Sequence, residues 1–243
     1  MNFYFIFEGK TEVKTYRKWF NALLPHLKEV KKYNQVNSNN YYCESDMGVP
    51  DCYNVLADAI QEINEFSQYD YLVLFIDADN LSVEEKKEEA HQLIKDKLQD
   101  KKYKKLPSNC KLKIIVQKVC IETWFLGNQK IIPKLPAGDI LKEYMNYFDV
   151  RTNNPEELWS EFIDGESEKF GYKDKAEFHH GYLREVFKEH NKSYQKSNIR
   201  EVQEEYYLQE IKKRIIQNAK HLQSFQELIN FCARINEEIE NKS

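Results

Sequence analysis

The sequence contains few of the residues that interrupt regular structure, and it has no cysteine pattern of a metal-binding type. Only 7 Gly and 6 Pro occur among 243 residues, which leaves little room for long linkers or for an all-β fold with many tight turns. The 5 Cys form no C-x-x-C pair, which argues against a zinc site of that kind. No run reaches the roughly 18 apolar residues that a membrane span needs.

The charge balance excludes a second class of protein. The formal net charge is −4, so the chain is not a globally basic nucleic-acid binder, and a polyanion would have to meet a local basic surface. The short apolar run at the start has no basic segment before it, unlike a secretory signal. Because the number of cysteines is also odd, we expect a cytoplasmic protein with reduced thiols and no membrane contact.

Apolar runs alternate with amphipathic stretches in the first half of the chain. Strands are predicted at Asn2–Phe7, Tyr71–Ile76 and Leu112–Ile121, and a further extended piece is expected near residues 33–36 or 41–43. The amphipathic stretches predict helices over residues 13–24, 50–66 and 83–105. Strands that alternate with helices favour an α/β fold with a mostly parallel sheet flanked by helices.

The pattern changes after Leu126. Pro133 and Pro136 mark a break, and the stretches beyond it have the spacing of packing helices. These helices are predicted over residues 138–147, 155–163, 175–189, 206–218 and 222–240. We therefore expect an α/β core over residues 1–127 and a helical C-terminal region over residues 128–243 that packs on the core.

Acidic residues follow each of the three predicted strands. Glu8 follows the first strand, Asp77 and Asp79 follow the second, and Glu122 follows the third. The carboxyl ends of parallel strands meet at one edge of a sheet, where ligands bind. A single acid there is more often a helix cap or a turn residue. Acids at three strand ends instead favour a divalent-metal site, because Mg²⁺ prefers carboxylates together with waters and phosphate oxygens.

Two segments carry a resemblance to a known family. Glu8–Glu12 after the first strand, with Asp77–Asp79 after a later strand, resembles the TOPRIM domain of topoisomerases, bacterial primases and several nucleases. Cys120–Leu126 resembles a segment of the overcoming-lysogenization-defect (OLD) and RloB-like TOPRIM proteins, which are linked to restriction and phage defence. The resemblance covers about the first half of the chain.

The resemblance implies roles for these acids and a function. Glu8 would be a metal ligand or general base, Asp77 and Asp79 would be metal ligands, and Glu122 would be the extra acid of nuclease-type members. The expected cofactor is Mg²⁺ or Mn²⁺, and the expected activity is phosphodiester hydrolysis of DNA or RNA. The sequence has no Walker A motif, so the expected partners besides nucleic acid are a second copy of the chain or a separately encoded ATPase.

Other interpretations of the sequence stay open. The main alternative is a non-catalytic TOPRIM-like protein that binds nucleic acid or a partner protein. Nucleotidyl transfer, as in primases, is a third interpretation, but no initiating-nucleotide site supports it.

Cations near the acids and in two other segments are candidates for substrate contact. Lys10 lies beside Glu8, and Lys118 precedes Glu122 by four residues, so either could stabilise charge in a transition state. Residues 95–113 hold eight Lys against two Asp. This charge is as typical of a solvated helix surface and loop as of a phosphate-binding patch. A further cluster mixes side chains that can hold phosphates and stack on bases, although it also fits ordinary helix surface with one core histidine. Its members are His179, His180, Tyr182, Arg184, Lys192 and Lys196.

Overall fold

The structure is a computed structural model that describes residues 1–44, 52–99, 104–158 and 171–242. The chain forms two compact units. The first comprises Met1–Ile76, Ser82–Val116 and Glu227–Ser243, and the second comprises Asp77–Leu81 and Gln117–Gln226. The predicted domain boundary at residue 127 stays a prediction.

A five-stranded sheet forms the centre of the first unit. The strands are β1 (Asn2–Phe7), β2 (Lys28–Glu29), β3 (Asn40–Cys43), β4 (Tyr71–Asp77) and β5 (Lys111–Gln117), in the order β2-β3-β1-β4-β5. β1 pairs in parallel with β3 on one side and with β4 on the other, and β2 pairs in parallel with β3. The predicted α/β class with a parallel sheet is confirmed, and its TOPRIM character stays a prediction.

The aromatic content of β1 explains its central position. All six of its residues are buried, as expected for a strand that is covered on both faces. The Phe7 ring stacks on Phe75 of β4 with centroids 4.8 Å apart, and on Tyr16 at 5.2 Å. Tyr16 belongs to helix α1 (Lys10–Leu23), which therefore covers one face of the sheet. Helices α2 (Cys52–Glu65) and α3 (Val83–Gln99) also belong to this unit, as does the last described helix from Glu227 onward.

The predicted strand ends need one correction. Leu112–Ile121 is too long, because β5 ends at Gln117. Val119 has a φ of 64°, which an extended chain does not allow, and Cys120 caps helix α4 (Ile121–Phe125). Glu122 therefore lies in the first turn of a helix and does not directly follow a strand. The further extended piece is the one near residues 41–43, since Tyr33–Gln35 forms a 3₁₀ turn.

The described residues beyond Leu126 form helices, with only one isolated bridge between Gln195 and Asn198. The predicted helices are confirmed to within about two residues in four cases: α5 (Asp139–Tyr147), α6 (Lys175–Glu189), α7 (Glu205–Gln217) and α8 (Gln223–Glu240). The helix predicted over residues 155–163 is a 3₁₀ turn at Pro155–Glu157, and its residues from 159 lie outside the described ranges. Parts of two other predicted helices, residues 50–51 and 100–103, also lie outside them.

Two sequence expectations about membranes and thiols have structural counterparts. In the described part of the chain, no helix is long and apolar enough to span a membrane. The five cysteines all lie within that part; each is buried and none forms a disulfide.

Glu227 of α8 joins two elements of the first unit. Its carboxylate lies 2.7 Å from the Lys87 ammonium of α3 and 2.5 Å from that of Lys113 of β5. Burial alone raises the pKa of Glu227, but the hydrogen bonds from the two lysines outweigh burial and bring the pKa below its usual value. The ionised carboxylate is thus the form that stabilises the fold.

We expect Glu227→Gln to lower the free energy of unfolding by about 1 kcal/mol at neutral pH, since two half-exposed ion pairs are removed. The folded-state pKa lies below the usual 4.5, so this stabilisation is present above that value and disappears as pH falls through the folded pKa. Urea unfolding at pH 7 and pH 3 measures both. Glu238→Gln is the control, because its carboxylate lies 3.7 Å from an exposed Arg234. An equal loss of stability at both pH values would contradict the assignment.

Candidate functional site

Two backbone hydrogen bonds in the second unit tie the loop after β4 to the segment after β5. The Ala78 N–H donates to the Gln117 carbonyl at 2.8 Å, and the Asp79 N–H donates to the Val119 carbonyl at 2.9 Å. Asp79 and Val119 both have left-handed backbone, with φ of 52° and 64°. These bonds stop the turn from relaxing to an extended chain and fix the position from which the Asp79 side chain leaves the backbone.

Two of the predicted acids lie near one buried thiol. Asp77 is the half-buried last residue of β4, and Glu122 is in the first turn of α4. Burial raises the pKa of Cys120 well above its usual value, and the charges of Glu122 and Asp77 raise it further. The charges of these two acids thus act on Cys120, whereas Asp79 is exposed to solvent.

Glu122 is directed into the protein interior. Its residue is only 1% exposed, and its Oε1 accepts a hydrogen bond from the buried Tyr194 hydroxyl at 2.9 Å. The His180 ring lies 5.5 Å from the Tyr194 ring. A buried carboxylate that is held by a tyrosine hydroxyl positions neighbouring groups more readily than it contacts a substrate.

Glu8 and Lys10 belong to the first unit. Glu8 is exposed, and its backbone N–H donates to the Phe75 carbonyl at 3.1 Å, which extends the pairing of β1 with β4 by one residue. Lys10 is exposed as well and is the first residue of α1 rather than a loop residue. Both side chains are thus available to solvent at the carboxyl end of β1.

The predicted metal site depends on side chains that can donate electron pairs to a cation. Among the described residues, no three His, Cys, Asp or Glu side chains are grouped closely enough to hold a metal ion. A closed cage is not what Mg²⁺ requires, since it keeps several waters and takes one or two carboxylates together with substrate phosphates. The carboxylate oxygens of Asp77 and Asp79 fit that chemistry, and the metal stays a prediction.

Two lysines of the second unit, Lys118 and Lys175, influence one another through their charges. The Lys118 N–H donates to the Ser224 hydroxyl at 3.1 Å, which fixes the backbone at the end of β5. Lys175, the first residue of α6, has a pKa lowered by burial and by the positive charge of Lys118. The sequence gives no sign of this pair, because nothing near Lys175 in the chain shows that α6 brings it to Lys118.

His179 holds α6 against α4. It is fully buried, and its Nδ1 lies 2.7 Å from the Thr123 hydroxyl. Burial and the nearby Lys175 lower the pKa of His179 to about 3, so the ring is neutral at physiological pH. Its Nε2 has no hydrogen-bond partner in the described part of the chain, and leaving such an atom unpaired costs about 1–3 kcal/mol.

Gln117 is a buried polar residue that sequence reasoning missed. The residue is fully buried, and neither amide atom of its side chain has a hydrogen-bond partner among the described residues. A signal was present, because Gln117 is the first polar residue after the apolar run of β5, just as Asp77 ends the apolar run of β4.

The predicted substrate cluster separates into buried and exposed residues. His179 and Tyr182 are fully buried, and the Tyr182 hydroxyl donates to the Phe148 carbonyl at 3.0 Å. A nucleic acid cannot reach these two side chains in this conformation. His180 is half-buried, and Lys196 is exposed.

The two remaining cations of that cluster lie near acids. The Arg184 Nε is 3.5 Å from the Glu185 carboxylate, and the Lys192 ammonium is 2.8 Å from that of Glu201. Their positive charge is therefore partly offset. In the other basic segment, residues 95–113, Lys113 is engaged with Glu227, and residues 100–103 lie outside the described ranges.

Comparison of the chain with protein-family models, curated proteins and solved structures finds no match in any of the three. The resemblance to TOPRIM proteins therefore stays a prediction from the sequence.

We expect Tyr194→Phe to lower the free energy of unfolding by about 1–3 kcal/mol, because the buried Glu122 carboxylate loses a hydrogen bond. In a Glu122→Gln background the effect should be smaller, since the hydrogen bond then joins neutral groups. Denaturant unfolding of the single and double variants measures this coupling. Tyr206→Phe is the control, as Tyr206 is 49% exposed. A Tyr194→Phe variant as stable as the control would contradict the role of this hydrogen bond in holding Glu122.

Proposed function

We propose that this chain is a divalent-metal-dependent nuclease that hydrolyses phosphodiester bonds in DNA or RNA. One observation carries the proposal: Glu8 follows β1, and Asp77 and Asp79 end and follow β4. These strands are parallel neighbours. After β1 the chain forms β2 and β3 on one side of β1, whereas β4 and β5 lie on the other side. Ligands of open parallel sheets bind beyond the carboxyl ends of strands at such a reversal of strand order.

The acids would hold Mg²⁺ or Mn²⁺, with Asp77 and Asp79 as ligands and Glu8 as a further ligand or general base. When bound, such an ion supplies an activated water and stabilises the charge on the leaving oxygen. Without a cation, neighbouring carboxylates repel one another and repel a phosphate. The proposal therefore requires that nucleic acid binds productively only with the ion.

Cations of the chain would supply the complementary charge. Lys118 follows β5 and Lys175 begins α6, and both would contact a phosphate of the substrate. Lys10 is exposed at the start of α1, next to Glu8. Glu122 would act through Tyr194 as a positioning residue, since it is buried.

The resemblance to OLD and RloB-like proteins supports a biological setting for this activity. On that basis, the proposed role is defence against mobile genetic elements in the cytoplasm, with a second copy of the chain or a separately encoded ATPase as partner.

A second function is favoured by a specific observation. No three acids group closely among the described residues, and Glu122 faces the interior. A non-catalytic protein that binds nucleic acid or a partner through the same fold would show this arrangement. The two functions differ in whether the carboxylates are required for anything beyond stability.

The test is cleavage of labelled single- and double-stranded DNA and RNA, including tRNA, with Mg²⁺, with Mn²⁺ and with EDTA. We expect cleavage only with metal. Asp77→Asn should reduce its rate by at least about 100-fold, since it removes a charged ligand. Asp139→Asn is the matched control, because Asp139 is highly exposed at the start of α5 and pairs with Lys142. Metal-dependent cleavage that survives Asp77→Asn would overturn the proposed site, and no cleavage of any substrate would favour the binding protein.

The exposed members of the substrate cluster allow a separate prediction. Arg184→Ala with Lys196→Ala should weaken nucleic-acid binding and lower the slope of log affinity against log salt by roughly 0.7–0.9 for each phosphate that the variant no longer neutralises. Mn²⁺ affinity should not change. Lys188→Ala, on the same helix and 54% exposed, is the control. A slope equal to that of the control would mean that Arg184 and Lys196 belong to ordinary protein surface.

A further inference from the structure

A groove in the second unit has positively charged side chains at four of its nine lining residues. It has a volume of about 560 Å³ and runs between the segment after Asn128 and the helix α7. Four of its lining residues are cations and one is an acid: Lys130, Lys134, Arg151, Lys213 and Glu210. Its described lining includes no residue of the acidic loop after β4, so it is separate from the proposed catalytic acids.

Glu210 holds two of these lysines in place. Its carboxylate lies 2.9 Å from the Lys130 ammonium and 2.6 Å from that of Lys213. The hydrogen bonds from both lysines lower the pKa of Glu210, so it is ionised at neutral pH. One negative charge thus fixes two lysines that remain 69% and 57% exposed, and the excess positive charge faces solvent.

The third cation is held rigidly by a different set of contacts. The Arg151 guanidinium binds the Asp149 carboxylate at 2.6 Å and donates to the Lys134 carbonyl at 2.9 Å. The carbonyl contact ties the Lys134 backbone to the wall of the groove. Arg151 therefore fixes the backbone of Lys134, which is exposed.

The helix α7, which lines the groove, also carries a buried cation. Arg214 of α7 is 2% exposed, and its guanidinium donates to the Val150 carbonyl at 2.7 Å. Desolvation lowers the pKa of Arg214 to about 10, so it remains charged at neutral pH. The lining of the groove has four cations and one acid, which leaves three positive charges in excess, in a chain whose net charge is −4. A local field of this sign attracts polyanions.

We infer that this groove binds the phosphodiester backbone of a nucleic acid, with Lys130, Lys134 and Lys213 as the phosphate contacts. The inference rests on the proposed function in taking nucleic acid as the polyanion, but it concerns binding and not cleavage. Phosphates spaced along a strand would replace the shared Glu210 carboxylate as partners of the exposed lysines. Such contacts carry no base information and would hold a strand irrespective of its sequence.

The experiment measures fluorescence anisotropy of labelled DNA and RNA oligonucleotides with EDTA present, over a series of salt concentrations. Lys130→Gln with Lys213→Gln should weaken binding by roughly tenfold and lower the log–log salt slope by about 1.4–1.8. Glu210→Gln should strengthen binding, because it removes the competing charge and leaves both lysines. Lys142→Gln is the matched control, an exposed lysine outside the groove that pairs with Asp139. Thermal unfolding shows whether each variant folds.

The outcomes separate the alternatives. Binding by the double variant that equals the Lys142→Gln control overturns the groove, and so does a Glu210→Gln variant that binds as weakly as the double variant. Preference for polyglutamate over both nucleic acids assigns the groove to an acidic protein and overturns the inference. If the wild-type protein binds in the expected manner but cleaves nothing with Mg²⁺ or Mn²⁺, the groove stands and the proposed nuclease function fails.

Discussion

The parallel pairing of β1 with β3 on one side and with β4 on the other is the constraint on which the sheet depends. Crossover helices cover the faces of a parallel sheet, and the six buried residues of β1, with Phe7 stacked on Tyr16 of α1, fit this arrangement. In the same sheet, β2 and β3 lie on one side of β1, and β4 and β5 lie on the other. Glu8 therefore follows the strand at which the strand order changes direction. A buried aromatic strand and an exposed acid are therefore two consequences of one arrangement.

In the second unit, one serine hydroxyl links three segments of the chain by hydrogen bonds. The Ser224 hydroxyl accepts from the Lys118 N–H at 3.1 Å and from the Trp124 indole at 2.7 Å, and it donates to the Glu156 carboxylate. Burial raises the pKa of Glu156, although the hydrogen bonds from Ser224 oppose this. One hydroxyl thus fixes the segment that carries Lys118, and rigid placement of this kind is what a binding site requires.

Much of the fold followed from the sequence because its signals are local. Six apolar residues at Tyr71–Ile76 can hardly be anything but a buried strand, and the amphipathic spacing of α7 and α8 identifies both helices. The predicted end of β5 was wrong by four residues, because Ile121 is apolar in a helix as it would be in a strand. Site contacts were largely beyond prediction: Glu122 with Tyr194, and Thr123 with His179, join residues far apart in the chain.

Paramagnetic Mn²⁺ tests the central claim, that the acids at the carboxyl ends of β1 and β4 bind a divalent cation. In a ¹⁵N-labelled protein, substoichiometric Mn²⁺ broadens the amide signals of residues near the bound ion. The account predicts that the signals of Glu8, Asp77 and Asp79 disappear first and that excess Mg²⁺ restores them. Broadening centred on other acidic residues, or broadening that Mg²⁺ does not reverse, would contradict it.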